Sequence, residues 1–104
     1  MRALTEMKIG NIHEFKENVG KLVEIKDHSI AVFHLTNGIF HAVENLCPHK
    51  GGPLVEGIVS GEYVFCPLHD WKIDLKDGYV QAPDHGCVRK YDVSIKGDEV
   101  YITL

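Results

Sequence analysis

The sequence predicts a small all-β protein, and two observations carry this prediction. Turn residues recur at short intervals along the whole chain, and short runs rich in Val, Ile, Phe and Tyr lie between them. Asn-Gly and Asp-Gly pairs stand at 37–38 and 77–78, and such pairs favour the tight turns of β-hairpins. A chain of 104 residues suits one domain with an adequate core. We therefore expect a single domain over residues 1–104, with an antiparallel β base (a sandwich or partial barrel) and a smaller inserted lobe at roughly residues 45–86.

The first half of the chain is expected to supply most of the base. Residues 21–26 alternate in polarity, with Val23 and Ile25 facing one way, as in a half-buried strand. Residues 29–35 are apolar on both faces and predict a central strand. The other expected elements are a strand around 7–9, a helical turn or irregular loop within 11–18, and a strand at 39–44 that returns after the Asn37-Gly38 turn.

The second half is expected to form two further strand pairs. A short strand at 62–65 leads into residue 66, and residues 71–75 lead away from residue 69. Beyond the Asp77-Gly78 turn, we expect residues 79–81 to complete a hairpin and residues 88–95 and 99–103 to form the last pair. The chain termini should pair with the early strands and close the larger sheet.

Composition excludes several classes of function. The net charge is −4 and no Lys/Arg cluster is present, which argues against nucleic-acid binding. The N-terminus lacks the apolar core of a signal peptide, and no apolar run reaches membrane-spanning length. We therefore expect a cytoplasmic protein without a membrane partner. Its three cysteines are then more suited to metal ligation or burial than to disulfides.

Two short segments each pair a thiol with an imidazole. Cys47 and His49 form the first half-site, Cys66 and His69 form the second, and sixteen residues separate His49 from Cys66. Such ligands suit zinc or an iron–sulfur cluster. Zinc fingers usually group their two Cys together and place their two His on a helix, whereas here each half-site is mixed and no helical pattern follows. Mixed half-sites favour a two-iron cluster, and structural zinc is the alternative.

The pattern C-x-H, sixteen residues, C-x2-H resembles that of the Rieske [2Fe–2S] family. This resemblance implies an antiparallel β base with a cluster-binding lobe, and one [2Fe–2S] cluster per chain as the cofactor. By the same resemblance, Cys47 and Cys66 would ligate the inner iron, and His49 and His69 the outer iron. No catalytic residue is expected in this chain.

The residues around the predicted ligands indicate a low reduction potential. High-potential Rieske proteins carry an extra Cys in each loop, and the matching positions here are Gly52 and Leu68, so the disulfide beside the cluster cannot form. The hydroxyl donors after their second loop are replaced by the run 70–73 (Asp-Trp-Lys-Ile). Fewer hydrogen bonds to the sulfurs stabilise the reduced state less, and we expect a ferredoxin-type, low-potential centre.

Three segments (45–60, 65–72 and 83–89) are similar to the small subunit of assimilatory NAD(P)H nitrite reductase. The resemblance implies a large partner subunit, carrying flavin, a [4Fe–4S] cluster and siroheme, that reduces nitrite to ammonia. This chain would be its electron-transfer subunit, inactive alone. The first alternative is a soluble Rieske ferredoxin that passes electrons from a flavin reductase to a ring-hydroxylating dioxygenase. The second is a zinc-stabilised binding module without redox activity.

Several other residues carry narrower expectations. Cys87 has no partner thiol and is predicted to be a buried structural residue, and Trp71 is predicted to anchor the lobe on the base. Pro83 is expected to cover the metal centre. Lys50 and Leu68, next to the ligand histidines, are candidates for partner contact. The remaining histidines of the base are predicted to be surface residues or satisfied sheet residues: His13, His28, His34 and His41.

Overall fold

The structure is a computed structural model that describes residues 6–25, 28–36, 38–46, 53–67, 71–82 and 86–103. Within these ranges the chain forms two antiparallel sheets, one of six strands and one of three, which confirms the predicted all-β class. The strands in chain order are β1 (Glu6–Asn11), β2 (Gly20–Ile25), β3 (His28–His34), β4 (Phe40–Glu44), β5 (Ile58–Ser60), β6 (Tyr63–Phe65), β7 (Lys72–Asp74), β8 (Lys90–Lys96) and β9 (Glu99–Thr103).

The larger sheet is the predicted base, with the strand order β1-β9-β8-β4-β3-β2. Glu6 of β1 lies opposite Thr103 of β9, so the two ends of the chain pair with one another as expected. The polar segment after β1 forms a single 3₁₀ turn (Ile12–Glu14), which Asn11 caps by accepting a hydrogen bond from the His13 backbone N–H at 3.1 Å. Of the two predicted alternatives, a helical turn or an irregular loop, the structure shows the helical turn.

Strand β3 is buried on both faces, as its sequence predicts. Ile30 and Val32 belong to one apolar cluster inside the base, together with Val100 and Ile102. Ala31 and Phe33 point the other way into a second cluster. Because successive residues of a strand face opposite sides, this one strand supplies both clusters.

The smaller sheet, in the order β5-β6-β7, is the predicted lobe. Its inner face packs on β3 and β4 through the second cluster, which combines base residues with lobe residues: Ala31, Phe33, Leu35 and Val43 with Leu54, Val64, Cys66, Ile73, Leu75, Val80 and Val88. A second 3₁₀ turn (Leu54–Glu56) leads into β5.

The structure corrects three details of the sequence prediction. Residues 58–60 form strand β5, where the sequence suggested only turns. Residues 79–81 make isolated bridges, Ile73 with Val80 and Tyr79 with Cys87, in place of a regular strand. Strand β8 begins at Lys90, two residues later than predicted, because Val88 is drawn into the lobe core, where its N–H donates to the Gly78 carbonyl at 2.8 Å.

The predicted turns occur where glycine permits a left-handed backbone. Gly38 has a φ of 83° and Gly78 a φ of 80°, a region that other residues seldom adopt. The Leu35 N–H donates to the Ile39 carbonyl at 2.9 Å and so closes the first hairpin. Asn37 lies outside the described residues, so its part in a type I′ turn stays a prediction. Among the described residues, no helix has the length and apolarity needed to cross a bilayer.

Candidate metal centre

Cys66 stands directly after β6 and is fully buried in the cluster shared by lobe and base. Its backbone N–H donates to the Trp71 carbonyl at 2.8 Å, and this hydrogen bond joins the two ends of the second ligand loop. Trp71 packs against the same cluster, which agrees with its predicted role as an anchor. The thiol of Cys66 therefore lies in an apolar environment at the start of the second ligand loop, and its assignment to the inner iron stays a prediction.

The first ligand loop is closed in a different way, by a side chain. Asn45 Oδ1 accepts a hydrogen bond from the Val55 backbone N–H at 2.7 Å, which ties the residue after β4 to the 3₁₀ turn before β5. The Asn45 N–H in turn donates to the Ser29 carbonyl of β3 at 3.0 Å. Asn45 and Val55, which flank the segment that contains Cys47 and His49, are thus tied to each other, and Asn45 is also tied to the base.

The strand that follows the first ligand loop pairs with the strand that precedes the second. Ile58 of β5 lies opposite Phe65 of β6, so the segment that follows the first loop runs alongside the residue that precedes Cys66. Gly57 allows this approach, since a Cβ added there would collide with the Phe65 carbonyl oxygen and lie 2.8 Å from Val64 Cγ2. The described backbone that follows the first half-site in the sequence therefore adjoins the backbone that precedes Cys66.

Cys66 is the one predicted ligand that falls within the described residues. Cys47, His49 and His69 lie outside them, as do Lys50, Leu68 and Pro83, and their proposed roles stay predictions. The described residues by themselves contain no group of three or more His, Cys, Asp or Glu suited to a metal. The predicted donor set of two thiols and two imidazoles, with the Cys66 thiol in an apolar core, has the chemistry that fits a Rieske cluster.

Cys87 is exposed, and the prediction that it is buried is wrong. The residue that enters the lobe core is its neighbour Val88, which is 5% exposed. Adjacent residues of extended backbone face opposite sides, so Val88 turns Cys87 toward solvent. The chain thus holds a buried thiol at the second loop and an exposed thiol at 87.

A polar network joins lobe to base at the end of β6 farthest from Cys66. His41 Nε2 lies 3.2 Å from Glu62 Oε1, and the Lys90 ammonium lies 3.1 Å from His41 Nδ1 and donates to the Leu75 carbonyl at 3.1 Å. Burial lowers the pKa of both His41 and Lys90. His41 is therefore a satisfied sheet residue, as predicted, and it bridges two strands of the base to the lobe.

A shallow cavity of about 310 Å³ lies beside this network, lined by Leu35, Thr36, Gly61 and Glu62. Its lining offers no nucleophile or metal-ligating pair. It also lies at the opposite end of β6 from Cys66, so it is separate from the candidate metal centre.

Sequence reasoning missed the residues that hold the loops in place. The sequence pattern assigns no role to Asn45, and it predicts only a turn at Gly57. Asn is a common partner of nearby backbone N–H groups in loops, which was the available signal for Asn45. Nothing in the local sequence could indicate that Gly57 faces Phe65.

Comparison with known proteins identifies the family. The Rieske [2Fe-2S] domain matches residues 5–92. The anthranilate 1,2-dioxygenase ferredoxin subunit of Burkholderia cepacia is 34% identical over 97 residues, which is 92% of this chain and 89% of that protein. Human apoptosis-inducing factor 3 is 32% identical over 98 residues, or 93% of this chain. The chain spans only 15% of that longer relative.

Solved structures agree with this assignment. The ferredoxin of carbazole 1,9a-dioxygenase from Nocardioides aromaticivorans IC177 has a TM-score of 0.86 and 26% identity, covering 94% of this chain and 96% of that one. A protein assigned as an NADH-dependent nitrite reductase small subunit, from Mycobacterium tuberculosis, has a TM-score of 0.90 at 22% identity, covering 99% and 97%. At that identity the likeness shows the fold. The chain belongs to the Rieske [2Fe–2S] domain family, whose cofactor is a Rieske-type [2Fe–2S] cluster.

Proposed function

We propose that this Rieske electron-transfer protein is the small subunit of an NAD(P)H-dependent nitrite reductase, and that a large partner subunit reduces nitrite to ammonia. The observation that carries the proposal is the similarity of segments 45–60, 65–72 and 83–89 to that subunit. These segments include all four predicted ligands and the residues that close both loops. They are therefore the part of the chain that meets the redox partner.

In this proposal Cys47 and Cys66 would hold the inner iron, and His49 and His69 would hold the outer iron. When bound, the cluster would supply reversible storage of a single electron. The chain's own residues bind and shield it. The burial of Cys66 keeps water from one thiolate, and Leu46, 46% exposed, provides apolar surface for a partner next to Cys47.

The proposal places the chemistry of nitrite outside this chain. The sequence has no glycine-rich nucleotide-binding motif after a strand, and the cavity by Glu62 lies at the opposite end of β6 from Cys66. Nicotinamide oxidation and nitrite reduction both belong to the large subunit.

A second candidate is a ferredoxin that serves a ring-hydroxylating dioxygenase. The observation in its favour is the 34% identity to the anthranilate dioxygenase ferredoxin subunit, over nearly the full length of both chains. The metal centre is the same in both candidates, and the larger redox partner differs.

Purification of the tagged chain from its native cells, grown on nitrite as nitrogen source, separates the two. We expect it to bring down a large flavin- and siroheme-containing subunit, with nitrite-dependent oxidation of NAD(P)H by the complex. Cys66→Ser should abolish that activity, while Cys87→Ser, which changes the exposed thiol, should preserve it. Recovery with an oxygenase, together with substrate-dependent oxygen uptake, would establish the second candidate instead.

A further inference from the structure

We propose that Asn45 is a positioning residue for the cluster, because its side chain holds the first ligand loop in register with the second. This inference rests on the proposed metal centre and extends it to a residue that is not a ligand. Asn45 stands two positions before Cys47, and its side chain is the polar group that joins the start of the loop to its end.

The first step of the argument is the closure itself. The bond from the Val55 N–H to Asn45 Oδ1 spans ten residues at 2.7 Å and is partly buried. A loop of this length is costly to order, and a hydrogen bond between its two ends reduces the volume its ligands can explore. Cys47 and His49 both lie inside the segment that this bond closes.

The second step is that both ends of the closure are held by rigid neighbours. Asn45 is hydrogen-bonded through its N–H to the Ser29 carbonyl of β3. On the other side, Leu54 is fully buried and the Val55 carbonyl packs directly on Gly20 of β2, where an added Cβ would also lie 2.9 Å from Phe33 Cε1. The Asn45–Val55 hydrogen bond therefore connects two residues that are each held by their neighbours, so it fixes both ends of the first ligand loop relative to the base.

The third step connects this anchored loop to the other half-site. Gly57 follows Val55 by two residues and packs against the carbonyl of Phe65, whose next neighbour is Cys66. The path from Asn45 through Val55 and Gly57 to Phe65 is continuous, and it joins the residues flanking one half-site to those flanking the other. Loss of the Asn45 carbonyl oxygen would release the first loop while leaving the second loop closed by the Cys66–Trp71 hydrogen bond.

Asn45→Ala tests the proposal by removing the acceptor. Using the purified full-length holoprotein, we expect the visible absorption of the cluster to be lost to an iron chelator about fivefold faster than in wild type, the effect of one net hydrogen bond. The midpoint potential should also shift, because a looser loop alters the groups around the sulfurs. Asn45→Asp, which keeps the Oδ1 acceptor, should retain the cluster at close to the wild-type rate.

The matched control is Asn11→Ala. Asn11 Oδ1 also accepts a backbone N–H at the start of a 3₁₀ turn, but this turn is on the base, beside β1 and β9. Both substitutions should lower the free energy of unfolding to a similar degree, as measured by denaturation followed by circular dichroism. Only Asn45→Ala should change the rate of cluster loss and the potential, and a merely structural role would move neither beyond the control.

Three results decide the matter. Equal cluster loss and equal potentials for Asn45→Ala, Asn11→Ala and wild type would overturn the positioning role while leaving the metal centre intact. A wild-type chain that binds no [2Fe–2S] cluster would overturn the metal centre and this inference together. If Asn45→Ala does not fold, hydrogen exchange of wild type decides instead: a protected Val55 amide supports the closure, and rapid exchange there overturns it.

Discussion

The two described cysteines differ in their surroundings, and this difference predicts different effects of replacing them. Cys66 is fully buried at the end of β6, whereas Cys87 is exposed. We expect Cys66→Ser to abolish the visible absorption and the EPR signal of the reduced cluster, since a hydroxyl is a poor substitute for a thiolate ligand. Iron and acid-labile sulfide per chain should fall with the spectra.

Cys87→Ser is the matched control for this substitution. It makes the same change of sulfur to oxygen in the same lobe, and it should leave iron content, sulfide content and EPR spectrum at wild-type values. Loss of the cluster in both variants to the same extent would contradict the assignment of Cys66 as the ligand.

His41 predicts a pH dependence of stability. Burial lowers its pKa in the folded state, with Lys90 acting in the same direction and Glu62 and Asp74 opposing. In the unfolded chain the pKa of His41 returns to about 6.5. As the pH falls below that value, the imidazole takes up a proton in the unfolded state more readily than in the folded state. Protons then favour unfolding. The free energy of unfolding of the wild type should therefore fall between pH 7 and pH 5. We expect His41→Gln to make this slope shallower, by at most about 1.4 kcal/mol per pH unit, which is the contribution of one proton.

Urea denaturation at a series of pH values measures this slope. His13→Gln removes an exposed imidazole from the base and controls for the loss of one histidine. His41→Gln should also be less stable at pH 7, because Lys90 and Glu62 lose their shared partner. A His41→Gln slope equal to that of the control would show that the folded state does not keep His41 neutral.

At the scale of elements, strands and turns were predicted correctly from the sequence where the local pattern of apolar residues and glycines matches the burial and backbone geometry in the structure. Residues 29–35 are apolar without alternation, and β3 is buried on both faces between the two clusters. The hairpin glycines Gly38 and Gly78 adopt the left-handed backbone that their turns require. In each case the physical requirement acts within a few residues, so it is visible in the sequence.

Prediction failed where a distant contact determines the local structure. Residues 58–60 form a strand because β6 pairs with them, whereas a run of three residues next to turn residues is too short to predict one from its sequence. Cys87 is exposed because Val88 occupies the lobe core. The Asn45–Val55 hydrogen bond likewise joins residues on opposite sides of a loop. The ligand pattern itself was evident from spacing, whereas the closure of the loops required the fold.

Gly57 gives a prediction at the level of the two loops. Its φ of −74° is open to any residue, so Gly57→Ala tests steric approach and not backbone strain. The added methyl group would meet the Phe65 carbonyl and Val64, and it should force the first loop away from β6. We expect a loss of about 1–3 kcal/mol in the free energy of unfolding, together with faster loss of the cluster to a chelator.

Gly61→Ala is the control that separates a general loss of stability from the steric collision expected at Gly57. Gly61 has a φ of 60°, and an added Cβ there meets nothing within 4 Å, so alanine would introduce strain without a collision. It should lower stability without changing the rate of cluster loss. If Gly57→Ala releases its cluster no faster than Gly61→Ala, close packing at Gly57 does not hold the loops together.

At the scale of the whole molecule, the shared core indicates that lobe and base form one unit. Phe33 and Val43 of the base pack in the same cluster as Leu54 and Ile73 of the lobe, and all four are fully buried. The network of His41, Glu62 and Lys90 adds polar contacts across the same boundary. A lobe attached only by its two chain connections would have its own core, whereas the described core residues of this lobe all belong to the cluster that it shares with the base.

This shared core predicts a single cooperative unfolding transition, as expected of a small two-state domain. Hydrogen exchange in rising denaturant should show peptides from the lobe (53–67) and from the base (28–36) losing protection at the same concentration. Leu54→Ala removes a fully buried side chain of the lobe, and it should destabilise both regions by about 2–5 kcal/mol. Val100→Ala, inside the base and in the other cluster, should likewise shift both regions together. Separate transitions, with each substitution affecting only its own region, would show that the lobe is an independent domain.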